Sequence, residues 1–247
     1  MQEKDINWAK LQIGLYYMNE IKDYVYDLDS CRKEALSALL AEYPDVIGVF
    51  GRMTSFFTNL CARLNDIKVP YEMLQYKMLL TISFMRTHIC ACEHIFNSEN
   101  IEAAILMRKQ LELIARMKEV EVKDLEKLYD KVPNVVFGRP MNCLYGILSK
   151  IAHNADMESL DMLGFHMVDE THKQICVYPI YNVNTIYSFD VAIGLFLMFV
   201  IEVVFMQKQL FSDYDIQADG DAFVDFMKFG LSTNIPFFKS LGELEFA

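Results

Sequence analysis

Apolar residues recur at helical spacing along most of the chain, and the breakers fall between the periodic stretches rather than inside them. The pattern predicts a helix over 6–27 and a shorter one that starts after Ser30, whose hydroxyl suits an N-cap, and stops before Pro44. A third is expected over 45–66 and a fourth over 70–97. The polar run Asn97-Ser98-Glu99-Asn100 reads as a turn, with Asn100 capping a fifth helix to about Val120. Short helices should follow near 122–131 and from Pro140 to about Asn154. Proline is tolerated at a first helical position because its missing N–H would have no intrahelical partner.

The rhythm then changes. Gly164 to Val168 and Gln174 to Pro179, separated by the polar Asp169 to Lys173, read as a β-hairpin. An apolar helix over 187–211, a shorter one over 217–230 and a loose acidic tail complete the chain. No repeat, low-complexity run or Pro/Gly/Ser linker divides it. The expected fold is all-α: one helical domain over 1–247, a bundle with a small β-hairpin insertion near 164–179.

Composition narrows the class. The 247 residues are 53% hydrophobic and 23% charged, with ten glycines and six prolines, which excludes disorder, collagen-like repeats and a disulfide-stapled miniprotein. A formal net charge of −11 argues against broad binding to DNA or to an anionic membrane, although a local basic patch remains compatible with it. The six cysteines lie mostly in apolar helical stretches, the usage of reduced thiols in a cytosol. The opening MQEKDINWAK has no apolar run of the secretory type, so a cytoplasmic protein is expected. The stretch from Val191 is apolar for eleven residues to Ile201 and then meets Glu202. About 20 apolar residues are needed to cross hydrocarbon, so a core helix is the better reading.

Candidate chemistry begins with what is missing. The chain has no phosphate-cradling or dinucleotide glycine loop, no His-Glu-x-x-His and no Gly-x-Ser-x-Gly. Cys90-Ala-Cys92-Glu93-His94 suggests metal ligands, but on a helix Cys92 points about 160° away from Cys90 while His94 lies about 40° from it. Two ligands are too few for structural zinc, so buried thiols with a hydrogen-bonded histidine are expected, and no metal or cofactor is implied.

Two helical motifs are richer. Arg108, Glu112, Arg116 and Glu119 fall within about 80° of one another, opposite an apolar arc that includes Met107, Leu111 and Ile114. In the later helix, Leu144, Ile147, Leu148, Ile151 and Ala152 form the expected core face. Asn142, Gly146, Ser149 and His153 make a separate seam there. A mid-helix glycine costs about 1 kcal/mol, which suggests close approach of another backbone. Two readings stand. The first stripe is a solvated row of i,i+4 ion pairs and His153 ends its helix against the dipole. Alternatively the two seams meet in a pocket where Arg108 holds an anion, Glu112 orients it, and Ser149 and His153 form the second wall.

The run Glu102 to Glu112, with its Arg-x-x-x-Glu, and Leu144-Tyr-Gly-Ile-Leu-Ser-Lys-Ile-Ala-His153 resemble two helices of a family of uncharacterised bacterial helical proteins. That family is similar in layout to the HEPN superfamily of toxin–antitoxin, abortive-infection and RNA-processing systems. The resemblance spans about 70–205, leaving residues 1–68 and 212–247 outside it. It implies a role in defence or stress, RNA or a nucleotide as partner, and a homodimer. HEPN ribonucleases carry Arg, four to six residues, then His. Here Arg86 precedes His94 by eight and position 148, five before His153, is Leu. A ribonuclease reading therefore needs a noncontiguous site, with Arg108 and His153 on different helices. The rival readings are a non-catalytic interaction module, in which the same side chains form a structural network, and a small-molecule sensor built around a bundle cavity.

Overall fold

The computed structural model describes residues 8–64, 71–153, 165–167, 173–175 and 178–244. Eight α-helices account for most of them: α1 (Trp8–Glu42), α2 (Val46–Ala62), α3 (Glu72–Phe96), α4 (Asn100–Val122), α5 (Arg139–Ala152), α6 (Val183–Leu210), α7 (Ile216–Leu231) and α8 (Pro236–Leu244). A 3-10 turn, Leu125–Lys127, lies between α4 and α5. The architecture is an all-α bundle.

Helix α1 corrects the expected break at Ser30. No glycine or proline occurs between Gly14 and Pro44, so nothing forces the backbone out of the helix and Ser30 lies inside it. The helix stops at Glu42, two residues before Pro44, where the ring disfavours helical geometry at its predecessor. The α3–α4 turn holds Ser98 at φ 56°, with its hydroxyl 3.0 Å from that of Thr185 on α6. Glu99, not Asn100, occupies the cap position of α4. Asn100 is buried, with its Nδ2 directed at Thr185 Oγ1 at 3.4 Å.

The centre of the molecule is aromatic. Phe84 of α3 stacks on Phe199 of α6 at 3.9 Å between ring centres, and Phe57 of α2 meets both edge-on. Such pairs add to the free energy of burial itself. His88 is sealed among these rings with Nδ1 3.4 Å from Gln110 Oε1, and burial lowers its pKa to about 4, which keeps it neutral.

Helix α6 threads this centre. Its 28 residues, with a mean hydropathy of 2.4 over the most apolar window, meet the length and composition needed to cross a membrane. Half of that window is buried inside the bundle. Two of its polar side chains find protein partners: Glu202 pairs with Lys118 of α4 at 3.4 Å, and Gln207 Nε2 donates to the Leu60 carbonyl at 2.6 Å.

The expected loose tail is corrected too. Residues 236–244 form α8, with Pro236 opening it and Phe238 buried against Phe226 of α7. The close seating depends on Gly230, where a Cβ would stand 2.3 Å from the Phe238 ring. Within the segment 164–179, Phe165–Met167 pairs antiparallel with Lys173–Ile175, placing His166 opposite Gln174. Apart from Tyr178 and Pro179, the rest of that segment, Cys176 included, lies outside the described residues.

Candidate functional site

Helix α5 lies against α4 by its apolar side, with Leu148 and Ile151 buried. Gly138 enters in an extended conformation and Pro140 sits in the first turn. Asn142 closes the entry: its Nδ2 donates to the Phe137 carbonyl at 3.0 Å and its Oδ1 accepts from the Phe137 N–H at 2.9 Å. That bracket removes Asn142 from the expected seam. Gly146 leaves the seam too, because among the described residues nothing stands within 4 Å of where its Cβ would be, and no described backbone approaches there. Ile147, expected in the core face, is 55% exposed.

What remains of the two seams meets. Arg108 Nη1 of α4 lies 3.1 Å from Nε2 of His153, the residue that ends α5. Arg108 Nε is 3.3 Å from Glu112 Oε1, one turn on. Tyr145 of α5 donates from its hydroxyl to the same Glu112 oxygen at 2.9 Å, and the Arg108 guanidinium stands 5.6 Å above the Tyr145 ring. Ser149, half-buried one turn before His153, makes no hydrogen bond to another described side chain. Tyr145 lies outside the seam of Asn142, Gly146, Ser149 and His153, yet Tyr145, Ser149 and His153 follow an i, i+4, i+8 spacing that places all three on one face.

The contact fixes a tautomer. A guanidinium only donates, so Nε2 must present its lone pair and the neutral ring carries its proton on Nδ1. Protonating Nε2 would replace that bond with two facing donors. The Arg108 and Glu112 side chains are 26% and 23% exposed, and His153 is exposed, so solvent reaches the group. The arrangement therefore offers a cationic fork beside a proton-carrying ring.

The far half of the stripe behaves differently. One of the two readings of the stripe places Arg116 on a solvated row; it is instead 4% exposed. Its Nη1 donates to the Leu128 carbonyl at 2.9 Å and its Nη2 to that of Lys131. Glu119 accepts from Lys123 Nζ at 2.7 Å and from the Asn134 N–H at 3.3 Å. Burial alone would raise the Glu119 carboxyl. The hydrogen bonds from Lys123 and Asn134, with the nearby charges of Lys123 and Arg116, outweigh it and hold the pKa below the ordinary range.

The cysteine cluster separates as helical geometry requires. Cys92 is buried, its thiol pushed up by burial, and lies 3.8 Å from His88 Nε2. Cys90 is exposed, against the expectation of a buried thiol. His94 turns to Glu99, with Nδ1 2.6 Å from Oε2, while Arg32 of α1 holds the other oxygen of that carboxylate. Among the described residues no group of three or more His, Cys, Asp or Glu is placed to hold a metal ion. No protein-family model matches the chain, and neither does any curated protein or solved structure.

Proposed function

We propose that the α4–α5 crossing is an anion site through which an HEPN-like protein binds or acts on RNA or a nucleotide, in a bacterial defence, stress or toxin–antitoxin-like setting. The observation that supports this reading is the 3.1 Å contact between Arg108 Nη1 and His153 Nε2 across two helices at a solvent-reached edge. A phosphate oxygen entering there competes for the guanidinium, which binds such oxygens through its planar fork. The displaced imidazole is then free to exchange a proton with the bound group, Glu112 keeps Arg108 aimed, and Ser149 supplies a hydroxyl on the second wall. This noncontiguous pair takes the place of the contiguous Arg–His motif. A cytoplasmic homodimer, with a hairpin over 164–179 attached to the bundle, belongs to the same proposal.

Incubating the purified protein with total RNA, beside Arg108→Ala and His153→Ala, tests it. Cleavage or retention of RNA by the wild type, lost in both variants while their melting temperatures stay close to wild type, is the expected result. Absence of both cleavage and binding in the wild type would sink it. The rival reading is a non-catalytic interaction module. It is favoured by a specific observation: Arg108, Glu112, Tyr145 and His153 already contact one another without a ligand, although Arg108 Nε is left without a hydrogen-bond partner.

A further inference from the structure

A second feature lies away from the α4–α5 crossing. Helices α2, α6 and α7 leave between them an open cleft of about 310 Å³. Its walls are carbon: Phe56, Val200, Val204 and Phe223 line it, and Ile201 and Phe205 stand at its mouth, 55% and 57% exposed. Large apolar side chains held open to water at the mouth of a concave surface are the usual mark of a binding site.

Two observations specify the occupant. The first is charge. The cleft is lined by two ionisable groups, Asp219 and Lys208. Asp219 is already neutralised, since its Oδ2 accepts from Arg63 Nη1 at 2.8 Å and from the Tyr214 hydroxyl at 2.6 Å. Lys208 is exposed and makes no hydrogen bond or ion pair with any described residue. The carboxyl end of α6 favours a cation at this position but does not account for an apolar hollow beside it. The second observation is space. Gly220 lines the cleft from inside α7, where glycine costs about 1 kcal/mol relative to alanine. Among the described residues nothing lies within 4 Å of where its Cβ would be, so their packing does not demand a glycine there. A larger residue at 220 would project toward room that the glycine keeps open.

The geometry points to a site for a straight-chain aliphatic carboxylate, its chain in the cleft and its carboxylate on Lys208 Nζ. At about 30 Å³ per water-sized volume, the cleft holds roughly ten heavy atoms, which suits a medium-chain fatty acid. This site is independent of Arg108 and His153, so it stands or falls separately from the anion site proposed above.

Calorimetric titration of the full chain with decanoate, kept below the concentration at which the acid self-associates, tests the assignment. Saturable one-to-one uptake is expected. Lys208→Gln should weaken decanoate about fivefold, the upper range for an exposed ion pair, and leave the affinity for decan-1-ol unchanged. Gly220→Leu should abolish uptake while circular dichroism stays that of wild type. Ile201→Glu, at an exposed position, should abolish it too and decides the matter if Gly220→Leu fails to fold. Absence of saturation by the wild type overturns the assignment, as does equal affinity in Lys208→Gln or undiminished uptake by a folded Gly220→Leu or Ile201→Glu. Sedimentation with neutral phospholipid vesicles in place of one-to-one uptake would overturn it in favour of a lipid surface.

Discussion

Arg108 and Arg116 stand two turns apart on one helix, each with an acidic neighbour further along the same face, and they meet opposite surroundings. Arg116 is covered by the segment that leaves α4, and it spends its donors on the carbonyls of Leu128 and Lys131. Arg108 stays at the edge of the bundle, where its partners are Glu112 and the ring of His153 on the next helix. The first is a clamp whose partners are backbone and cannot leave. The second is bonded to side chains that solvent reaches and a ligand can displace. Each arginine has its carboxylate one helical turn on, four residues away for Arg108 and three for Arg116; what separates them is whether a later stretch of chain folds over the guanidinium.

The comparison can be broken by truncating each end of the stripe in turn. Arg116→Ala should have the largest effect, about 3 kcal/mol in urea unfolding, because two carbonyls lose their donor and the Glu119 carboxylate loses a charge partner. Tyr145→Phe should cost about 1 kcal/mol, the worth of one part-buried hydrogen bond to a carboxylate that still has Arg108 beside it. Arg108→Ala should cost under about 0.5 kcal/mol, in line with exposed ion pairs. A loss on Arg108→Ala as large as that on Arg116→Ala would mean that both arginines are structural, and the case for an open site would be gone.

Helix content was readable because long periodic stretches leave little freedom: α3, α4, α6 and α7 fall within a few residues of where the apolar pattern puts them. Ser30 misled because a cap residue signals an end only where something also breaks the helix, and no glycine or proline does so there. The last helix was obscured by the acidic Glu243 and Glu245, although Pro236 followed by Phe237, Phe238 and Leu241 carried the signal of a capped amphipathic turn. At the candidate site, the two helical seams left the meeting of Arg108 with His153 as one of two readings, beside a solvated row of ion pairs, and it is the path of α5 across α4 that brings the two side chains together. The parts that failed, Asn142 and Gly146, depend on a loop bracket and on empty solvent, neither of which leaves a periodic trace. The burial of Arg116 depends on the path of residues 125–134, which no local pattern specifies.

The contact between Gly230 and Phe238 has a further consequence. A methyl group at position 230 would stand where the aromatic ring now sits, so the ring would have to leave its slot and take the closing helix with it. Docking of the carboxyl-terminal end is thus governed by one missing carbon in a different helix, and any descendant of this protein that acquires alanine there must rebuild the whole corner to keep it.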